Sequence, residues 1–287
     1  MSILETKNLT YTYSAGTPFA QDAIADVSIA VEQGEKLGII GHTGSGKSTL
    51  IQHLNGLLRP SSGQVLLNGQ DIWAEPKKIR SVRFQVGMVF QYPEHQLFEE
   101  TVSKDIAFGP KNMGLPADEI AERVHMAAKF AGLREELLEK SPFDLSGGEK
   151  RRAAIAGVIA MDPAVVILDE PAAGLDPMGR DDLFEQIGLY HEARKNTILI
   201  VSHSMEDTAR FSDRVLVMNH GHAAMLAPTA EVFAHAAELQ EMGLQVPQVT
   251  RVFMQLRHMG YPVRGDVYTL PQAKAELLRV LKGGATQ

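Results

Sequence analysis

Residues 36–48 read Lys36-Leu37-Gly38-Ile39-Ile40-Gly41-His42-Thr43-Gly44-Ser45-Gly46-Lys47-Ser48, a short apolar strand running into the pattern G-x-x-x-x-G-K-[ST]. Thr49-Leu50-Ile51-Gln52-His53-Leu54 follows, with Leu50, Ile51 and Leu54 on one helical face, and Asn55-Gly56 supplies a stop. Strand, glycine loop and helix in that order are the context in which the pattern holds phosphate; a Gly-rich turn matching by chance lacks those flanks. The glycines let backbone N–H groups converge on phosphate oxygens, and the helix N-terminus adds partial positive charge. Lys47 is placed to reach the β- and γ-phosphates, and the Ser48 hydroxyl to ligate Mg²⁺. The chain reads as a nucleoside triphosphate binder.

Working outward, short apolar strands at Gly87–Phe90, Val165–Leu168 and Thr197–Val201 alternate with segments of helical period, which predicts an α/β fold on a parallel sheet. Partial alternation over residues 3–13, with Val27–Val31 and Gln64–Asn68 near Gly34, Gly63 and Gly69, predicts an N-terminal antiparallel β layer. Residues 102–160 read as mostly helical. Beyond Met218 the pattern weakens, and helices are expected at 228–245 and 271–282, separated by Pro247, Pro262 and a Gly-rich turn.

The length of 287 residues corresponds to roughly two domains at about 150 residues each. The expected division is a nucleotide-binding domain over 1–220, with a helical subdomain at about 95–160, and an extension over 221–287. Apolar residues at 44% and charged residues at 22% are the proportions of a chain that buries a sizeable core. A net charge of −7 argues against a broad basic surface for nucleic acid. With no cysteine, disulfides and thiolate metal sites are excluded. No apolar run approaches the ~18 residues of a membrane span, and the first residues lack a basic and apolar leader. A cytosolic protein, free or docked on a membrane, is what these exclusions leave.

Asp169-Glu170 ends the strand Val165–Leu168, at the carboxyl edge where parallel sheets place ligands. Downstream of a phosphate loop, Asp169 is expected to hold Mg²⁺ and Glu170 to polarise the attacking water as general base. Standing alone, the two would read as an ordinary strand-ending acid pair. His203 follows the strand Thr197–Val201, where an imidazole can sense the γ-phosphate; only this place in the strand order raises it above the other histidines. Gln91 closes the strand at 87–90, with an amide able to reach Mg²⁺ or water. Leu145-Ser146-Gly147-Gly148-Glu149 opens another helix. Ser146 and Glu149 form a capping box, paired glycines leave the first turn bare, and Ala154, Ile155, Val158 and Ile159 are expected on the buried face. The plain reading is a well-capped helix; the sharper one is a second anion device serving a nucleotide held by another subunit.

Taken together these motifs resemble the ATP-binding-cassette (ABC) ATPases. Walker A is 41–48, the Q-loop Gln91, the signature 145–149, Walker B 165–170, the D-loop Gly174-Leu175-Asp176 and the switch histidine His203, in the family's order over residues 1 to about 235. The resemblance implies a P-loop ATPase fold with a helical signature subdomain. It also implies ATP on Tyr13, Gly41, His42, Thr43, Gly44, Ser45, Gly46, Lys47, Ser48 and Thr49. Tyr13 looks like the residue that stacks on adenine, with Tyr11 and Phe19 as competitors. Mg²⁺ would lie on Ser48, Gln91 and Asp169, and Glu170, His203 and Gln91 would serve catalysis. Ser146, Gly147, Gly148 and Glu149 would cap a partner's ATP, and Asp176 would mark the D-loop.

The stretches 17–19, 40–46, 52–58 and 90–98 look more specifically like energy-coupling factor transporter ATPases, nearest the second member of the ATPase pair. That family implies a vitamin or micronutrient importer, with a sister ATPase as heterodimer partner, a membrane T subunit, substrate-binding S subunits, no nucleic acid, and a peripheral place on the cytoplasmic face of the membrane. It also implies that part of Tyr92–Phe108 forms a groove for the T subunit, and that the C-terminal extension aids pairing. Two residues depart from the common pattern: Glu149 stands for the usual signature Gln, yet keeps the capping box, and Ala172 stands for a Thr. The competing readings are the ATPase of a dedicated cobalt or nickel permease and a soluble cassette ATPase outside transport.

Overall fold

The computed structural model of the chain describes residues 1–284. The apolar strand before the phosphate loop becomes the middle of the larger of two sheets. In chain order the elements are β1 (Ser2–Tyr13), β2 (Gln21–Glu32), β3 (Lys36–Ile40), α1 (Lys47–Leu54), β4 (Ser62–Leu67), β5 (Gln70–Asp71), α2 (Ile79–Gln85) and β6 (Val86–Val89). The helical subdomain follows as α3 (Val102–Met113), α4 (Ala117–Phe130) and α5 (Gly147–Ile159). The chain then returns through β7 (Val165–Asp169), α6 (Pro177–Arg194), β8 (Thr197–Val201), α7 (Met205–Phe211), β9 (Arg214–Asn219) and β10 (His222–Pro228). It ends in α8 (Thr229–Ala234), α9 (Ala236–Glu241), α10 (Gln248–His258) and α11 (Leu270–Gly284).

The six-stranded sheet has the order β10-β9-β3-β8-β7-β6, and the antiparallel layer the order β2-β1-β4-β5. From β9 to β6 the large sheet is parallel; β10 joins antiparallel at its edge. Alternate residues of one strand go to opposite faces. Val165 and Ile167 of β7, with Leu199 and Val201 of β8, pack under the antiparallel layer and α1. Their neighbours Val166, Leu168, Ile198 and Ile200 pack against the helical subdomain and α6. Burial on both faces explains why these strands read as continuous apolar runs, and it leaves the carboxyl edge as the place for polar chemistry.

Three expectations need correction. The sequence expectation places no strand at 222–228, where an alanine-rich run carries little β-propensity; pairing with β9 holds it there, so the large sheet extends past residue 220. Helix α10 is likewise absent from the sequence expectation, in which Pro247 separates two helices. It is instead the residue from which the helix starts, where a missing N–H costs nothing, and Val249, Phe253 and Leu256 pack into the extension's own small core. The single helix expected over 228–245 is two, α8 and α9, broken at His235.

Phe253 is buried in that small core. Phe253→Ala should cost about 3–5 kcal/mol. Hydrogen exchange should quicken across α10 and α11 while β3, β7 and β8 keep their protection; unchanged exchange in α11 would show that this core does not hold the extension.

Candidate active site

The phosphate loop is fixed from behind. The Ser45 carbonyl accepts the Gly221 N–H at 3.1 Å, and the Gly221 carbonyl accepts the Ala25 N–H at 2.9 Å, so the β9–β10 turn and β2 brace it together. Gly46, at φ 99°, caps α1, and a Cβ there would meet the Ala23 carbonyl oxygen and Ile24 Cγ2, each at 2.7 Å. Only glycine satisfies both the left-handed backbone and that approach. The buried Lys47 ammonium donates to the carbonyls of Gly41 at 2.7 Å and His42 at 3.1 Å. The Ser45 hydroxyl is fully buried with no protein partner, and Gly44 opens onto free space. His42 is held by Thr43 and by Asn219, and its ring lies 4.9 Å from that of His220.

Across the sheet edge, β7 and β8 are paired with Asp169 opposite Val201. The Glu170 N–H donates to the Val201 carbonyl at 3.0 Å, with Glu170 itself at φ 50°, a conformation uncommon for a residue with a side chain. Its carboxylate Oε1 lies 3.5 Å from His203 Nε2. Burial lifts the Glu170 carboxyl to about 7; the Asp169 carboxylate adds to the rise and Lys47 opposes it. Burial raises Asp169 as well, against Lys47, and lowers Lys47, against the attraction of both acids. His203 is lowered by burial and then by Lys47. The electrostatics therefore join the phosphate lysine, both acids and the histidine into one site. Gln91 lies two residues beyond β6 and is exposed.

At the end of β1, the Tyr13 hydroxyl is 3.3 Å from Thr49 Oγ1, on the first turn of α1. Tyr11 turns inward instead, edge-on to Tyr13 and to the buried His53 ring, while Phe19 stands 83% exposed in the β1–β2 hairpin. This placement favours Tyr13 among the three aromatic candidates, because it alone combines exposure with a tie to the phosphate helix.

The signature forms the N-terminus of α5, with both halves of the capping box present. The Glu149 carboxylate accepts the Ser146 N–H at 2.9 Å and hydroxyl at 2.7 Å, and Arg134 at 3.0 Å. These Ser146 bonds and then Arg134 hold it below the usual carboxylate range. A Cβ on Gly147 or Gly148 would meet nothing within 4 Å, so nothing among the described residues requires glycine there. Asp176, exposed, caps α6 by accepting the Gly179 N–H at 2.7 Å.

Sequence reasoning missed Arg151. It is buried on the core side of α5, holds Glu94, and donates to the carbonyls of Pro171 and Ala173. The clue was a charged residue inside an apolar stripe, whose only uses are a pair or a set of acceptors. Ala154, expected in the core, instead lines an open groove of about 480 Å³ with Arg80, Phe98, Phe108 and Asn112, while Val158 borders that groove and packs partly buried against the core. In the stretch 92–108, Val102 and Ile106 are core, whereas Tyr92, Phe98 and Phe108 are exposed.

A family model described as "ABC transporter" matches residues 24–173. The energy-coupling factor transporter ATP-binding protein EcfA2 of Clostridioides difficile is 52% identical over 285 residues, covering 99% of each chain. Its counterpart from Caldanaerobacter subterraneus is 50% identical over 280 residues, covering 98% of each. The chain belongs to the energy-coupling factor transporter ATPases. Among solved structures, cbiO1 of Clostridium perfringens, part of the ABC transporter complex cbiONQ, superposes with a TM-score of 0.75 at 39% identity, covering 90% of this chain and 97% of that one. The ATP-binding cassette MJ0796, a post-hydrolysis dimer with ADP and Pi, gives 0.70 at 26% identity, covering 79% and 98%. As an energy-coupling factor ATPase, the chain binds ATP and hydrolyses it to drive transport. No helix among the described residues is long and apolar enough to cross a membrane.

The raised Glu170 has a consequence for stability. Its folded value lies above the unfolded one, so its contribution is full below about pH 4.5 and is lost as the pH rises through about 7. Without added nucleotide, Glu170→Gln should therefore raise the melting temperature at pH 8 and leave it nearly unchanged at pH 4.5. An equal shift at both pH values would contradict a carboxyl raised by burial.

Proposed function

We propose that this chain is the ATP-hydrolysing half of a transport motor whose other half is a related, non-identical ATPase, and that the pair sits on the cytoplasmic face of a membrane beneath a T subunit that recruits S subunits for vitamins or other micronutrients. The observation that carries the reading is the assembly, at one sheet edge, of Lys47, Asp169, Glu170 and His203, together with a second anion-binding helix end at Ser146–Gly148 whose glycines nothing among the described residues requires. One chain thus offers a complete phosphate site and half of another. The ATPase domain of the proposal covers 1–220 together with the strand paired at its edge, and the remainder to 287 contributes to pairing.

In the proposed mechanism Tyr13 stacks on adenine. The N–H groups of the loop over Gly41, His42, Thr43, Gly44, Ser45, Gly46, Lys47, Ser48 and Thr49 hold phosphate oxygens, and the Lys47 ammonium turns from loop carbonyls to the β- and γ-phosphates. Among the described residues no cluster of three or more His, Asp or Glu could hold a metal ion alone. Mg²⁺ bound through nucleotide phosphates needs only one or two protein oxygens, and Ser48, Asp169 and Gln91 are oxygen donors of the required kind. When bound it neutralises charge developing on the transferred phosphoryl group. Glu170 accepts a proton from the attacking water, and His203 orients Glu170 and the γ-phosphate. Gly147 and Gly148 offer N–H groups to the partner's nucleotide beside Ser146, with Glu149 neutralised by Arg134 and Asp176 at the junction between the chains.

Glu170→Gln should keep ATP affinity and leave less than about one-tenth of this site's turnover, since it removes the base and spares the cradle. Lys47→Ala should weaken ATP binding itself by at least about ten-fold. Titration with a fluorescent ATP analogue and phosphate-release assays separate the two; unchanged affinity in Lys47→Ala contradicts the cradle, and retained turnover in Glu170→Gln contradicts the base. Co-purification from detergent-solubilised membranes tests the partners. A sister ATPase, one T subunit and several small membrane proteins are expected, and purely soluble partners would overturn the transport reading.

A further inference from the structure

Glu94 lies three residues after Gln91, in the short turn Pro93–Gln96 that leads to the groove residues Leu97 and Phe98. Its carboxylate is gripped by Arg151, with Nε to Oε2 at 3.2 Å and Nη2 to Oε1 at 3.0 Å, and both side chains are largely buried. The remaining arm of the guanidinium, Nη1, donates to the Pro171 carbonyl at 3.3 Å and the Ala173 carbonyl at 2.6 Å. Those carbonyls belong to the turn immediately after Glu170, closed by the Ala173 N–H donating to the Glu170 carbonyl at 3.1 Å. One planar cation on the signature helix therefore touches the loop behind the groove and the turn behind Glu170.

The groove side of this link is stiff. Asp105, buried on α3, accepts the N–H groups of Phe98 and Glu99, each at 3.2 Å, so the segment from Glu94 to Glu99 is tied to the helical subdomain at both ends. Burial alone would raise Glu94, but the Arg151 bonds and charge outweigh it, and the carboxyl lies below its usual range. The Pro171–Ala173 turn, by contrast, offers Arg151 only carbonyl acceptors, and Glu170 beside it holds a backbone conformation uncommon outside glycine.

We infer that the Glu94–Arg151 pair is a positioning clamp, which sets Glu170 in register with the groove-lining loop, so that a membrane subunit pressing on the groove acts on hydrolysis through Arg151. The inference rests on the function proposed above. Neither residue touches nucleotide; both act through the turn that carries Glu170. A lysine at 151 brings one compact ammonium and cannot cover a carboxylate and two carbonyls in one plane. A glutamine at 94 keeps the shape of the partner and loses its charge.

The test uses the assembled complex of this chain with its sister ATPase and membrane subunits, comparing wild type, Arg151→Lys, Glu94→Gln and the double variant. Turnover remaining in Glu170→Gln is subtracted, which isolates the site of this chain. Arg151→Lys should lower the Glu170-dependent kcat about ten-fold and Glu94→Gln about three-fold, with KM for ATP within about two-fold of wild type. The double variant should fall no further than Arg151→Lys, because the two residues act as one unit. Should Arg151→Lys fail to assemble, Glu94→Gln carries the test alone. Unchanged kcat, a rise in KM at constant kcat, or multiplying losses in the double variant would overturn the clamp. A wild-type complex with no Glu170-dependent turnover would instead overturn the functional reading, and the clamp with it.

Discussion

The constraint on which the molecule depends is the burial of its parallel sheet on both faces. Strands β7 and β8 send alternate side chains into two separate cores, so neither face can carry polar chemistry. Polar groups emerge only where the strands stop, and there β3, β7 and β8 deliver the phosphate loop, the acid pair and His203 to one edge. Two like charges, Asp169 and Glu170, sit half-buried beside a single lysine. That arrangement is costly in the protein alone and suits a site built around a polyphosphate and a divalent cation.

In the proposed ATPase pair the helical subdomain solves a different problem, presenting a helix end to a nucleotide that another chain holds. The signature glycines leave the first turn of α5 open, and the capping box orders it without occupying the N–H groups turned outward. A carboxylate at 149 would repel phosphate if left alone. Arg134 and the two Ser146 bonds engage it. One helix turn farther along, Arg151 makes the same helix answer to the groove and to the turn behind Glu170.

Much of this was legible in the chain. The phosphate loop announced itself through its flanking strand and helix, and the parallel sheet through apolar runs too short for helices. The capping box at Ser146 and Glu149 could be read because a cap depends on neighbours in sequence. What escaped depends on partners far along the chain. Strand β10 exists because β9 offers it a ladder, and α10 because Pro247 begins a helix as readily as it ends one. Arg151 and Glu94 are 57 residues apart, so neither betrays the other until the fold brings them together. Ala154 looks like core for a similar reason: period places it on an apolar face, and only the fold shows that face opening into a groove.

The most direct measurement is the structure of the assembled complex carrying Glu170→Gln and trapped with Mg²⁺ and ATP. The account predicts a nucleotide whose γ-phosphate lies between Lys47 of this chain and the signature helix of the sister ATPase, with Tyr13 against adenine and Ser146 and the N–H groups of Gly147 and Gly148 on the partner's nucleotide. A complex with ATP bound at Lys47 and the two chains joined through other surfaces, their signature helices remote from any phosphate, would contradict it.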